Sequence, residues 1–133
     1  MSTNNFDIES MPMLIQYIGQ TVRDNNWHCD EWRITLQNKH GSWSTGYFTG
    51  LGHRNKKTNK VVKPSKASIL ESLFSDAEAA DYNFTEWCDN YGYSDDSIHA
   101  LNIYKECLKT GIALRKYFTA EQRKAIQSQF ELI

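Results

Sequence analysis

The sequence has few cysteines, no long apolar segment and almost no net charge, and each absence excludes a class of protein. Three cysteines in 133 residues are an odd number at wide spacing, which argues against a disulfide framework and favours a reducing compartment. No apolar run approaches the roughly 20 residues of a membrane span, and the polar first residues carry no signal-peptide pattern. A formal net charge of −1 gives no global preference for nucleic acid or membrane. We therefore expect a cytoplasmic protein without a membrane partner.

Motifs for metal binding and catalysis are also missing. No Cys-x-x-Cys or His-x-x-x-His pair is present, and the acidic run Ser94-Asp95-Asp96-Ser97 lacks the spacing of a calcium loop. No strand–serine–helix elbow fixes a nucleophile beside a base and an acid, and Gly50-Leu51-Gly52 is only a fragment of a phosphate-binding loop. Cys88 and Cys107 are better explained as small apolar core residues. We expect no metal, no cofactor and no enzymatic activity.

The first half of the chain predicts a helix followed by a β-hairpin. Over residues 9–24 the apolar side chains recur at helical spacing, with a serine and a proline placed as at a helix start. The period then changes to two over residues 32–36 and 43–50, with a turn at 39–42 between them. These two runs predict an antiparallel hairpin. Because a lone hairpin is marginal in water, it must pack on helices, gain a third strand or pair with a second copy in a homodimer.

The second half predicts three to four helices. The first opens after Pro64 and Ser65 and turns inward Ile69, Leu70, Leu73 and Phe74. Asn83 caps the second helix, and Gly92 ends it. The third is long and is capped by Ser94 or Asp95. It is expected to face the core with Ile98, Leu101, Tyr104, Leu108 and Ile112, and its apolar stripe is widened on the adjoining side by Ile103, Cys107 and Leu114. Thr119 and Gln122 have the spacing of a capping box and predict a short last helix.

These patterns predict an α+β fold: an N-terminal helix, an antiparallel β-hairpin and a mostly helical C-terminal half. The length fits a single domain, 1–133, and 40% hydrophobic residues suffice for a core. Residues 1–8 are polar and are expected to be disordered. Residues 51–64 contain four lysines and an arginine, with a glycine near the start, and are expected to form a flexible basic loop.

The charged residues are distributed unevenly along the chain. Between Ala67 and Tyr104 there is no lysine or arginine, but there are eight acids, namely Glu71, Asp76, Glu78, Asp81, Glu86, Asp89, Asp95 and Asp96. Helix caps explain some of them, and a solvated face explains others. An uncompensated acidic surface also attracts the basic grooves of other proteins. We predict that the partner-binding residues are Glu78, Asp81, Glu86, Asp89, Asp95 and Asp96.

A basic stretch precedes the acidic segment and supports an alternative function. Its cations are Arg54, Lys56, Lys57, Lys60, Lys63 and Lys66. Trp43, Tyr47 and Phe48 lie on the neighbouring hairpin and could stack on bases. The alternative prediction is therefore nucleic-acid binding through the basic loop and the hairpin aromatics. Short basic loops are also commonly just solvated, and the acidic segment would oppose a phosphate backbone.

Several motifs resemble one protein family. They are a Trp-x-Ile-x-Leu strand, a Tyr-Phe-Thr-Gly strand, Leu-Phe-Ser-Asp-Ala at 73–77 and Phe-x-x-Trp-Cys-x-x-Tyr-Gly-Tyr-x-x-Asp-Ser at 84–97. Together they resemble a widespread group of small, largely uncharacterised proteins of bacteriophages and other mobile elements, over residues 32–118. The resemblance implies a phage protein acting in the host cytoplasm, and it supplies no catalytic residue. Small phage proteins often disarm host defences, and anti-CRISPR proteins do so by docking on a nuclease complex.

We therefore expect a phage-encoded, non-enzymatic inhibitor of a bacterial defence system, most plausibly an anti-CRISPR protein. It would bind the host effector complex and block nucleic-acid access, with its acidic surface standing in for the phosphates of DNA. This step rests on lineage and charge. The alternatives are a small nucleic-acid-binding accessory protein of a phage and a dimeric structural protein of the phage particle.

Overall fold

A computed structural model of the chain describes residues 7–23, 26–38 and 41–131, which form three strands and four α-helices. The strands are β1 (Met13–Arg23), β2 (Trp27–Asn38) and β3 (Gly41–Gly50). The helices are α1 (Lys66–Ala77), α2 (Phe84–Tyr91), α3 (Ile98–Tyr117) and α4 (Ala120–Glu131), and 3₁₀ turns lie at Ile8–Ser10, Leu51–His53 and Glu78–Asp81. The predicted α+β class is confirmed.

The chain divides into two compact units. The sheet unit is Glu9–Ile69, and the helical unit is Met1–Ile8 together with Leu70–Ile133. The single domain stays a prediction. Of the start of the chain that was expected to be disordered, residues 1–6 lie outside the described residues, and Ile8 is buried. None of the helices formed by the described residues is both long and apolar enough to cross a membrane.

The sheet has the order β1-β2-β3, with both pairings antiparallel. The predicted hairpin is confirmed as β2 and β3, although residues 39 and 40 of its turn lie outside the described part of the chain. The predicted N-terminal helix is wrong. The helical part is only the turn Ile8–Ser10, and Met13–Arg23 forms strand β1, which adds a third strand to the predicted hairpin. This segment is rich in β-branched and aromatic residues, which suit a strand. An irregularity between Tyr17 and Gly19 disturbs its alternation, so its apolar spacing resembles that of a helix.

Strand β2 supplies the buried face of the sheet. Trp32, Ile34 and Leu36 are at most 4% exposed, which confirms the period-two prediction. Asp30 shares their parity and is also buried. A buried carboxylate is costly unless it is paired, so its partners are important for the sheet.

Local signals place the starts of α1, α2 and α4 and the end of α2 as predicted, whereas α1, expected to reach about Asp81, ends at Ala77 and is followed by the 3₁₀ turn Glu78–Asp81. The Ser68 amide donates to Ser65 Oγ at 3.1 Å before α1, which buries Ile69, Leu70, Leu73 and Phe74. The side chain of Asn83 accepts from the Glu86 amide, and Gly92 ends α2 at φ 78°. Thr119 and Gln122 form the reciprocal bonds of a capping box before α4.

Helix α3 differs from the prediction at its cap and at its buried face. Ser97 caps it by accepting from the Ala100 amide, in place of Ser94 or Asp95. Ile98 and Ile112 are 77% and 60% exposed, so they do not belong to the core. The buried positions carry mostly small side chains, namely Ala100, Thr110, Gly111 and Ala113, together with Leu114, whose burial was predicted. Small residues let neighbouring backbone approach, and a Cβ on Gly111 would lie 3.5 Å from the Ala77 carbonyl oxygen.

Candidate partner-binding surface

All eight acids between Ala67 and Tyr104 are exposed, including the six predicted to bind a partner. None of the eight forms an ion pair with another described residue. The sequence has no lysine or arginine among these acids, and the described part of the structure brings none into an ion pair with them. We call these eight residues the acidic segment. They all belong to the helical unit.

Electrostatic effects on neighbouring groups show that several of these acids converge on one corner of the helical unit. Burial raises the pKa of the Cys88 thiol, and the charges of Asp95 and Asp89 raise it further. Burial likewise raises the pKa of Tyr91, with added contributions from Glu78 and Asp76. Acids that are up to 19 positions apart in sequence thus act on Cys88 and Tyr91, which lie within one turn of α2.

Glu78 and Asp81 are the least isolated of the predicted acids. They line a cavity that also contains Arg115 and Arg123. The Arg123 guanidinium donates to the Phe118 carbonyl oxygen at 2.7 Å, so it is partly engaged at the end of α3. The two arginines offset part of the negative charge there. The strongest uncompensated charge is therefore expected around α2 and the α2–α3 corner.

The other four predicted acids lie on α2 and the turn after it. Glu86 accepts a bond of 2.9 Å from the Asn83 amide group, and Asp96 accepts one from the Ser94 hydroxyl. Among the described residues, Asp89 and Asp95 accept no such side-chain hydrogen bond, and their charges act on the Cys88 thiol. These two carboxylates are consequently the most available for a basic partner.

An aromatic pocket of about 220 Å³ opens beside the acidic segment. Its lining consists of Ser75, Asp76, Trp87, Tyr91, Tyr93, Ile103 and Cys107. Trp87 is 3% exposed, and its ring stacks on that of Tyr93 with centroids 5.0 Å apart and planes within 4°. Tyr93 reaches this position because Gly92 reverses the chain, and its amide donates to the Cys88 carbonyl oxygen at 2.9 Å. We call this site the aromatic pocket.

Asp76 introduces a carboxyl group into the aromatic pocket. The residue is exposed, yet burial of the carboxyl within the pocket raises its pKa to about 6. Burial, together with the charges of Asp76 and Glu106, raises the pKa of Cys107 to about 11. Asp76 was not among the six predicted site residues. No sequence spacing links Asp76 to Tyr91 and Tyr93. The two tyrosines on either side of the helix-ending glycine did indicate an aromatic corner.

In the sheet unit, two of the six predicted nucleic-acid contacts are engaged with the chain itself. Arg54 donates to both carboxylate oxygens of Asp30, from Nε at 2.9 Å and from an Nη at 2.6 Å. The Lys66 ammonium donates to the carbonyl oxygens of Glu9 and Met11 at 2.7 and 2.8 Å. The remaining cations, all exposed, are Lys56, Lys57, Lys60 and Lys63.

The loop that presents these lysines is held by its own hydrogen bonds. The side chain of Asn55 accepts from the amides of Lys57 and Thr58 at 2.9 and 3.0 Å. The Asn55 amide donates to the Lys60 carbonyl oxygen at 2.9 Å, and Asn59 has a positive φ of 57°. The loop is thus a tight turn in this structure. The flexibility expected for residues 51–64 stays a prediction.

The hairpin aromatics do not share one face of the sheet. Trp43 and Tyr47 lie opposite Leu36 and Trp32 and therefore occupy the buried face, whereas Phe48 points to the other face. The Arg23 guanidinium lies 4.0 Å from the centre of the Phe48 ring and covers it. The three rings cannot act together as one platform for stacking bases.

Comparison with protein-family models, with curated proteins and with solved structures gives no match to this chain. The resemblance to phage proteins therefore stays a prediction. Among the described residues, no group of three or more histidine, cysteine or acidic side chains is placed to hold a metal ion.

Proposed function

We propose that this chain is a non-enzymatic inhibitor that binds a basic, nucleic-acid-handling groove of a bacterial defence complex through its acidic segment. Within the suspected phage family, the specific form of the proposal is an anti-CRISPR protein that blocks nucleic-acid access to the effector. The observation that carries it is the set of eight exposed carboxylates without an ion pair among the described residues. Such a surface is complementary to a groove built to hold phosphates.

The distribution of charge within the acidic segment identifies the residues that matter most. Asp89 and Asp95 act together on Cys88 and have no compensating cation. Glu78 and Asp81 share their cavity with two arginines, so we assign them a weaker role. The proposal thus predicts unequal contributions among the six acids.

The test reverses the charge of the two most available acids. We expect Asp89→Lys combined with Asp95→Lys to reduce affinity for the effector by about 100-fold or more, because like charges facing each other cost several kcal/mol. Plaquing of a targeted phage on a CRISPR-defended host that expresses the chain reports inhibition, across a panel of effector types. Calorimetric titration against the purified effector measures the affinity.

The control makes the same change in net charge outside the acidic segment, with Glu106→Lys combined with Glu121→Lys. Both residues are exposed. Circular dichroism must show a native fold for both double variants. Full protection of phage by the Asp89/Asp95 variant would discard the acidic-surface proposal, as would an equal loss in the control.

A second candidate function, a nucleic-acid-binding accessory protein, is supported by four exposed lysines, of which Lys56, Lys57 and Lys60 lie on the hydrogen-bonded turn and Lys63 follows it. If all four contact phosphates, the logarithm of affinity should fall with the logarithm of salt with a slope of about −3 to −4. A gel-shift titration at several salt concentrations measures this slope. Replacing Lys56, Lys57, Lys60 and Lys63 by glutamine should abolish binding, whereas the same change at Lys105, Lys109, Lys116 and Lys124 should not. Absence of any shift at low salt would remove this candidate.

A further inference from the structure

The walls of the aromatic pocket combine one fixed ring with two accessible ones. Trp87 is buried and lies 5.0–6.3 Å, centroid to centroid, from four other rings, so its position is fixed. Tyr91 and Tyr93 are 47% and 38% exposed, which leaves their rings available at the mouth. Ile103 adds an aliphatic surface. The cavity of about 220 Å³ can accept one long side chain.

The charge in this pocket is negative and unpaired. The Asp76 carboxyl has no hydrogen-bond or ion-pair partner among the described residues, and no lysine or arginine lines the cavity. Glu78 acts on the same Tyr91 ring. A partly desolvated carboxylate without a cation is an unfavourable arrangement for an isolated chain. A cation entering from outside would relieve it.

We propose that the aromatic pocket binds the guanidinium group of an arginine side chain on the protein partner. This deepens the proposed function, on which it rests, by naming the partner chemistry at one point of the interface. A guanidinium stacks flat on the rings of tyrosine and tryptophan and offers two parallel N–H groups to one carboxylate. It is also less strongly hydrated than an ammonium, so it enters an aromatic site more easily. The methylene stem would lie along Ile103.

The test uses the full chain and a small probe in place of the partner. N-acetyl-arginine methylamide is titrated into the ¹⁵N-labelled protein, and its neutral isostere, the citrulline derivative, is titrated in parallel. We expect arginine to shift the amide signals of Ser75, Asp76, Tyr91 and Tyr93, and citrulline to bind at least about tenfold more weakly, since it lacks the charge. The lysine derivative should also bind more weakly than arginine.

Two variants and one control define the site. Asp76→Asn should weaken arginine binding about tenfold by removing the charged acceptor. Tyr93→Leu should weaken arginine binding severalfold, because it removes a ring and keeps the carboxylate. This variant tests the site if Asp76→Asn does not fold. Glu121→Gln removes one exposed negative charge outside the pocket and outside the acidic segment, and it should leave binding unchanged.

Three outcomes would overturn the assignment. Equal binding of arginine and citrulline would exclude a charge-dependent site, and equal binding of lysine would exclude recognition of the guanidinium. Equal weakening by Asp76→Asn and Glu121→Gln would show a general dependence on the charge of the chain and no specific site. The titration contains no effector, so its result is independent of the phage assay. The chain can bind arginine even if it does not inhibit the effector, and it can inhibit the effector even if the pocket does not bind arginine.

Discussion

Replacing Arg54 by alanine will lower the free energy of unfolding of the sheet unit by about 3 kcal/mol at neutral pH, because Asp30 then loses its cation. Asp30 is 1% exposed and accepts two hydrogen bonds from Arg54 and one of 2.8 Å from the Tyr17 hydroxyl. Removal of one member of a buried pair leaves an uncompensated charge, which costs more than the pair itself contributes. Urea unfolding and amide hydrogen exchange across β2 measure the loss.

The pH dependence of this effect has a definite sign. The hydrogen bonds from Arg54, assisted by Tyr17, hold the pKa of Asp30 below its ordinary value. A carboxyl with a lowered folded-state pKa contributes stability above its unfolded pKa of about 4, and this is lost as the pH falls through the folded pKa. In the Arg54→Ala variant, burial favours the protonated acid instead. The difference in stability between parent and variant should therefore be largest at neutral pH and shrink below about pH 4.

Two further variants calibrate the result. Lys56→Ala removes an exposed cation two positions along the same loop and should change stability by less than about 0.5 kcal/mol. Tyr17→Phe removes one hydrogen bond to the carboxylate and should fall between the two, at about 1–2 kcal/mol. If Arg54→Ala and Lys56→Ala unfold at the same urea concentration at pH 7, Asp30 does not depend on Arg54.

The parts of the fold that were readable in the sequence are those set by local chemistry. The alternation of Trp32, Ile34 and Leu36 identified the buried face of β2, because the side-chain period of a strand is two. Asn83 and Gly92 fixed the ends of α2 through capping and a positive φ, which depend on adjacent residues only. In both cases the determining atoms lie within a few positions of each other.

The misread elements were decided by contacts distant in sequence. Residues 13–23 carry apolar side chains whose spacing suits a helix, but pairing of Met13–Arg23 with β2 gave a strand. Ile98 and Ile112 matched a helical stripe, yet the buried side of α3 is the one with small residues, where close packing is feasible. Hydrophobicity alone does not report which face of a helix fits its neighbours.

The candidate site shows the same division. Exposure of the acids followed from their charge and from the absence of cations between Ala67 and Tyr104. The engagement of Arg54 could not be read, because its partner Asp30 is 24 positions away and looks like any other acid. The role of Asp76 also depended on tertiary structure, since only folding brings it to Tyr91 and Trp87.

Replacing Trp87 by alanine should destabilise the helical unit by about 3–5 kcal/mol, the range for removing a large buried aromatic. Trp87 is 3% exposed, and its ring centroid lies 5.5, 5.0 and 5.4 Å from those of Tyr91, Tyr93 and Tyr104. Its loss removes the transfer free energy of the side chain and leaves a cavity that the surrounding rings fill only in part. Urea unfolding and hydrogen exchange of α2 and α3 amides measure the effect.

The matched control removes the other ring of the closest stacked pair. Tyr93 is 38% exposed, so Tyr93→Ala should cost less, about 1.5–3 kcal/mol, from the transfer free energy of the partly buried ring and from the aromatic pair. Both variants disturb the aromatic pocket, but only Trp87→Ala disturbs the packing of Cys88 and Ala100, which belong to the same buried cluster. Equal stability losses in the two variants would mean that Trp87 does not anchor this cluster. The aromatic pocket would then lack the fixed ring on which arginine binding depends.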